Sequence, residues 1–431
     1  MERRHHVVVV GAGFGGLAAA RAMRSLPVDI TVVDARNHHT FQPLLYQVAT
    51  AGLDVDDVCH AVRGVFHRQR NARVRLGLVE RVDTDAGEVH LDGGATIAYD
   101  SLVLACGAVT NTFGVPGVDE HGFGLKSAAD AVALRDHVLE RFEAVDADPD
   151  LIETGALTFV VVGGGPTGVE LAGGLAELVH RVLRRDFPAL DVTRARIVLI
   201  EATDRVLGTF SPRSSSRARK SLERLGVEVV TATAVEGVDA TEVRLGDGAT
   251  IPTHTLVWAA GVRANPIGER AGFATDPGGR IVVDDHLAVA DQPNVYVIGD
   301  LAASPTDDER PLPQVAAVAI QGGRHVADAI AHRVGAGDDP GAFTYTDKGS
   351  MATIGRNAAV TELPSGVRLS GPVGWLAWLA LHLVMLIGFR NRANVLVNWA
   401  WNYVTYDRGS RVVVRHDDPV TDTSVGRSDT R

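Results

Sequence analysis

Cysteine is nearly absent: Cys59 and Cys106 are the only two in 431 residues, far apart and in neither CxxC nor metal-ligand spacing. That scarcity excludes a dithiol relay and a structural zinc site, so no metal is expected. One long-range disulfide stays open on counting alone, but two cysteines in a chain this long suit a reducing compartment, where both read as packing residues. Positive charge is also in deficit, with 42 Lys and Arg against 53 Asp and Glu and a net charge of −11. Without a general basic field, no nucleic-acid partner is expected. The opening MERRHHVVVVGAG holds no apolar segment of signal-peptide length, which reads as cytosolic. A chain that is 45% hydrophobic and 22% charged is ordinary globular material. At roughly 100–200 residues per domain, it has room for two or three.

Glycine, by contrast, is placed with a grammar. The run Val7 to Val10 reads as a buried strand, followed by Gly11-Ala12-Gly13-Phe14-Gly15-Gly16 and a helical stretch from Leu17 to Leu26. In such a unit Gly11 permits the turn, Gly13 lets backbone N–H groups approach a pyrophosphate, and Gly16 allows close helix–strand packing. A second strand, Asp29 to Val33, ends in Asp34 and Ala35, with the acid 23 positions after Gly11, near the spacing of a carboxylate that bonds an adenosine ribose. The pattern returns at Leu157 to Val162, which leads into Gly163-Gly164-Gly165-Pro166-Thr167-Gly168-Val169-Glu170. Here the strand Arg196 to Ile200 ends in Glu201, 38 positions after Gly163, across an extended helix and loop. An acid there favours a free 2′-hydroxyl, hence NADH over NADPH.

Smaller echoes trail each unit. Leu102 to Leu104 runs into Gly107, Leu256 to Trp258 runs into Gly261, and Val295 to Ile298 runs into Gly299-Asp300. Asp300, at the C-terminal end of a strand, suits a ribityl hydroxyl or a pyrophosphate reached through its backbone. Two dinucleotide sites and a late Gly-Asp resemble the two-dinucleotide-binding flavoproteins. That resemblance implies an α/β fold of two Rossmann-like domains, with FAD in the first and NADH in the second. It places FAD segments at 1–120 and 262–350 around an NADH domain at 121–261.

Two longer runs narrow the match. Asn37 to Thr50, NHHTFQPLLYQVAT, and Lys348 to Gly355, KGSMATIG, resemble type II NADH dehydrogenases, and the likeness extends from about residue 7 to about 415. The resemblance implies an NADH:quinone oxidoreductase that passes hydride from NADH to FAD and two electrons to menaquinone or ubiquinone, without proton pumping. It puts Glu170 near the nicotinamide, Tyr46, Gln47 and Gln321 near the quinone, and Lys126 at a family lysine position. The family's AQxAxQxG helix reads AAVAIQGG at 316–323, so Gln321 is kept and Ala317 stands where the other glutamine would be. A flavoprotein reductase with a non-quinone acceptor and a non-catalytic FAD- and NADH-binding redox sensor remain the alternatives.

The C-terminus has a different character. Residues 369–389 carry no formal charge, long enough to span a bilayer, yet Gly371-Pro372, His382 and the following aromatic segment (Trp399, Trp401, Tyr403, Tyr406) suit an in-plane anchor. Between 365 and 415, Arg368, Arg390, Arg392, Arg408, Arg411 and Arg415 face one acid, Asp407, a local excess suited to anionic headgroups. Residues 351–415 are therefore expected to form a membrane-associating and dimerising region. The protein would then be a homodimer, peripheral on the cytoplasmic face of the cell membrane. Residues 416–431 read as a polar disordered tail.

Overall fold

The computed structural model describes residues 3–304, 312–405 and 408–413; the expected tail at 416–431 lies outside them, as do Tyr406, Asp407 and Arg415. The valine run forms His5–Val10, in the interior of a six-stranded sheet, paired in parallel with Val28–Asp34 on one side and Ser101–Leu104 on the other. A strand covered on both faces can be apolar throughout, and Val7 to Val10 are all buried. Gln292–Val297 joins this sheet beside Ser101–Leu104, so residues almost 200 positions later complete the first nucleotide fold. Helix Phe14–Ala22 leaves the glycine loop and packs on helix Ala316–Arg333.

The second fold is a five-stranded, wholly parallel sheet in the order Gly122–Phe123, Thr255–Trp258, Thr158–Val162, Arg196–Ile200, Val227–Val230. Its helix Pro166–Glu177 follows the second glycine loop. The chain enters and leaves this sheet beside an antiparallel ribbon, Ala108–Thr110 against Val262–Ala264.

A third element follows. Strands Ser350–Gly355, Ala358–Glu362 and Arg368–Ser370 form an antiparallel sheet that lies against helix Pro166–Glu177. The approach is close: a Cβ on Gly173 would sit 1.8 Å from the Ile354 carbonyl oxygen. The uncharged stretch 369–389 then breaks in two, because Gly371 (φ +63°) and Pro372 open helix Gly371–Met385 and Gly388 (φ +88°) turns the chain into helix Phe389–Thr405. Fifteen residues reach about 22 Å, short of the roughly 30 Å hydrocarbon core. No helix among the described residues is long and apolar enough to cross a membrane.

Both helices are two-faced. Trp378, Leu386 and Val395 are buried in the core shared with the second nucleotide fold, while Val373, Leu376, Val384, Leu396, Val397, Trp401 and Val404 point outward. The arginines of the locally basic stretch are partly engaged within the fold. Arg368 pairs with Glu362, Arg408 with Glu177 and Arg411 with Asp186, and Arg392 donates to the Leu386 and Val384 carbonyls. Arg408 is drawn into the interior by Glu177 and Arg392 caps a helix end, while Arg368 and Arg390 stay at the surface.

Candidate active site

The two glycine loops are built alike. Gly11 and Gly163 take φ of +103° and +109°, conformations costly to any side chain, and a Cβ on Gly16 or Gly168 would come within 1.9 Å of the carbonyl oxygen of Gly11 or Gly163 respectively. Gly13 and Gly165 occupy the N-cap positions of their helices with no side-chain cap and no atom within 4 Å of an added Cβ. Uncapped N–H groups opening on free space fit a dinucleotide pyrophosphate at each loop. Phe14 starts its helix edge-on to His39 and Phe41, Gly15 lies against Ile298 and Ala319, and Pro166 and Thr167 open the other helix at the surface.

Both acids do more than wait for a ribose. Asp34 accepts from the Ala12 N–H (2.6 Å) and the Arg36 N–H (2.7 Å), spanning exposed Ala35, while Glu201 accepts from the Gly164 N–H (2.6 Å) and from Thr203 (2.8 and 2.7 Å). Each carboxylate thereby ties its glycine loop to the end of the second strand. Gly107 (φ +65°) accepts from the Asn265 N–H, and Gly261 accepts from the Asn111 N–H and abuts Phe113. Gly299 (φ +69°) brings Asp300 to the start of helix Ala316–Arg333, where Gln314 donates to the Asp300 carbonyl. Lys126 faces Asp300. Burial pushes the lysine amine down and the carboxyl up, and their mutual attraction opposes both shifts.

A cavity lies where helix Pro166–Glu177, helix Leu45–Ala49 and the two C-terminal helices meet, lined among others by Tyr46, Gln47, Glu170, Trp378, Trp399 and Arg408. Glu170 is 9% exposed and accepts one bond, from the Thr353 N–H at 3.2 Å. Burial pushes its carboxyl up to about 8, so it is protonated at neutral pH. The Trp378 side chain is 1% exposed, held by a stack on His382 (4.0 Å) whose Nδ1–H donates to the Trp378 carbonyl. Its indole N–H approaches the Glu170 carboxyl yet reaches no partner at hydrogen-bond geometry. Tyr46, Gln47 and Trp399 are chained: the Trp399 N–H donates to Gln47 Oε1 (2.7 Å), and Gln47 Nε2 donates to Tyr46 Oη (2.8 Å). Arg408 closes the wall, donating to the Thr50 and Gly174 carbonyls and to Glu177.

Comparison with known proteins identifies this architecture. Residues 5–323 match the pyridine nucleotide-disulphide oxidoreductase family model, and residues 348–405 match the NDH2 C-terminal domain. Two type II NADH:quinone oxidoreductases of Mycobacterium tuberculosis, NdhA and Ndh, are 40% and 39% identical to this chain, each covering 95% of it and 89% and 90% of their own lengths. The chain belongs to the type II NADH:quinone oxidoreductase family. In fold it is similar to the NDH2 of Plasmodium falciparum solved in complex with NADH, with a TM-score of 0.87 at 19% identity, covering 96% of this chain and all of that one. Membership carries with it the two dinucleotides expected from the sequence, FAD and NADH.

Within this type II family member the residues expected from the sequence divide. Tyr46, Gln47 and Glu170 come together at one cavity. Gln321 does not line it: both ends of its amide bond the Thr346 backbone, at 2.9 and 3.0 Å, which makes it a clamp on the chain that leads to the third sheet. Lys126 lies with Asp300 instead. Trp378, Trp399, Glu177 and Arg408 were missed as site residues. Trp399 reads in sequence as an interfacial aromatic and Trp378 as one residue of the uncharged stretch 369–389, and the sole sequence signal for Glu177 is its place two helical turns after Glu170.

Proposed function

We propose that this protein takes an electron pair from NADH and delivers it to a membrane quinone without pumping protons. The observation that carries the reading is the convergence of hydrogen-bond donors in a partly open cavity walled by aromatic side chains: protonated Glu170, the unpartnered Trp378 N–H and the Tyr46 hydroxyl. A buried N–H without a partner is costly, and a carbonyl of an apolar ring is the group that would satisfy it. FAD, when bound at the first glycine loop, supplies the two-electron carrier chemistry between dinucleotide and acceptor. Gly11, Gly13, Gly16, Asp34, Gly299 and Asp300 would hold it, while Gly163, Gly165, Gly168 and Glu201 would hold NADH, with the Glu201 carboxylate disfavouring a 2′-phosphate. Quinol formation consumes protons, and Glu170 stores one at its carboxyl. Tyr46, Trp378 and Trp399 give the cavity apolar faces for a ring, and the donors orient the acceptor.

Steady-state NADH oxidation with menaquinone and ubiquinone analogues tests this. Turnover with at least one is expected; oxidation by ferricyanide alone, with no quinone turnover, would favour the non-quinone acceptor and overturn the reading. A membrane surface is the proposed occupant of the outward apolar face of the two C-terminal helices, where Val384 is 65% and Val404 79% exposed. Val384→Glu with Val404→Glu should release the protein from anionic lipid vesicles while its yellow flavin is retained. Unchanged sedimentation with vesicles would refute membrane docking and leave a second copy of the chain as the cover.

A further inference from the structure

We infer that Trp399 is a positioning residue for the acceptor: by fixing the amide of Gln47 it turns the Tyr46 hydroxyl hydrogen into the cavity, toward a quinone carbonyl. The inference rests on the quinone reading above and adds to it the residue that sets the polarity of one cavity wall.

An indole N–H only donates. Its 2.7 Å contact with the Gln47 side chain therefore requires the amide oxygen on that side, which leaves the amide NH2 toward Tyr46. That NH2 has no lone pair to offer. At 2.8 Å it must donate, so the Tyr46 oxygen accepts and the hydroxyl hydrogen points elsewhere. Among the described residues Tyr46 Oη has no other hydrogen-bond partner, and the side chain, 8% exposed, lines the cavity that also holds Glu170 and Trp378. Burial, with the Glu170 and Glu177 carboxyls nearby, keeps the phenol pKa well above its ordinary range, so the hydrogen is retained.

Without Trp399 the amide is free to turn over and present its oxygen to Tyr46. The phenol would then donate to Gln47, and the cavity would gain a lone pair where the acceptor's own lone pair arrives. The helix holds Trp399 tightly in place. Asn398 donates to Asp57 (2.8 Å) and Asn402 to the Gly52 carbonyl (2.9 Å), bracketing Trp399, and Arg356 bonds the Asn402 and Tyr403 carbonyls at the helix end. The outward face of this same helix carries Leu396, Val397, Trp401 and Val404, so the element offered to the membrane also orients the buried phenol.

The test is a double-mutant cycle on the FAD-loaded protein, with the rate of flavin bleaching by NADH read in every variant as the reference half-reaction. Trp399→Phe should raise KM for a quinone analogue about three- to tenfold, the worth of one neutral hydrogen bond. In a Tyr46→Phe background, the same change should add nothing, because no hydroxyl is left to orient. Should Trp399→Phe fail to hold FAD, Gln47→Glu takes its place: a carboxylate only accepts, so it draws the Tyr46 hydroxyl hydrogen to itself and should raise KM in the same Tyr46-dependent way. An unchanged KM in the single variant, or an equal rise in the Tyr46→Phe background, overturns the inference. A wild type without quinone turnover fails earlier and indicts the quinone reading instead.

Discussion

The helices that leave the two glycine loops start from the same geometry and end in different uses. Helix Phe14–Ala22 presents small residues and closes against helix Ala316–Arg333, where a Cβ on Gly323 would come 2.4 Å from the Gly15 carbonyl oxygen. Helix Pro166–Glu177 is just as tightly packed at Gly173, yet on either side of that glycine it projects Glu170 and Glu177 toward elements supplied by the C-terminal region. One helix is sealed along its length against a second helix; the other forms, on the far side from its glycine loop, the wall of the cavity proposed for the acceptor. A dinucleotide motif therefore states what happens at a helix N-terminus. It says nothing about the rest of that helix, whose role is set by whatever packs on it.

The sharpest break of this comparison is at the shared geometry. In Gly16→Ala and Gly168→Ala the new methyl would meet a carbonyl oxygen at 1.8 and 1.9 Å, so the first variant should purify colourless and the second should keep its flavin but lose bleaching by NADH. Absorbance at the flavin band and stopped-flow mixing with NADH read the two outcomes. If both variants lost FAD, the separate assignment of the loops would fall.

The next effect concerns the second helix alone. Arg408 and Glu177 form an ion pair whose side chains are 12% and 16% exposed. Arg408→Met strands the carboxylate and should cost about 3 kcal/mol in denaturant melts; adding Glu177→Gln should recover most of it. The smallest effect is a pH limb. A carboxyl at about 8 ionises as pH rises past that value, so quinone turnover should fall about tenfold between pH 7 and 9. Glu170→Gln keeps a neutral donor and should flatten that limb. The sign for stability is the same: with the folded value raised from 4.5, nothing is lost below the ordinary carboxyl range, and stability falls as pH rises toward about 8. Melts of Glu170→Gln against wild type across that window check it.

Much of this was legible along the chain. The valine strands, both glycine loops and the acids that end the second strands are legible from patterns within about forty positions, although each first strand also pairs with a strand more than ninety positions on. The runs at 37–50 and 348–355 already held Tyr46, Gln47, Thr50 and Thr353, although nothing in their spacing said that Thr353 would bond Glu170, 183 positions away. The arginine excess near the C-terminus is divided between surface and interior. Counting charges treats every guanidinium as solvated, whereas Arg408 and Arg411 fold back on Glu177 and Asp186. Gln321 shows another limit, because a motif position cannot show that Thr346 takes both ends of its amide.

By itself the sequence determined that two dinucleotides bind and pointed to the turns that would hold them, because a pyrophosphate at a helix N-terminus needs glycine at set positions and little else. It also determined that the C-terminal helices would be apolar on one side. Only the tertiary structure decided which of their tryptophans face inward, which carboxyl loses its solvent and holds its proton, and which arginines are spent on the interior. Those outcomes depend on desolvation and on donor direction, and neither exists until segments from opposite ends of the chain are packed together.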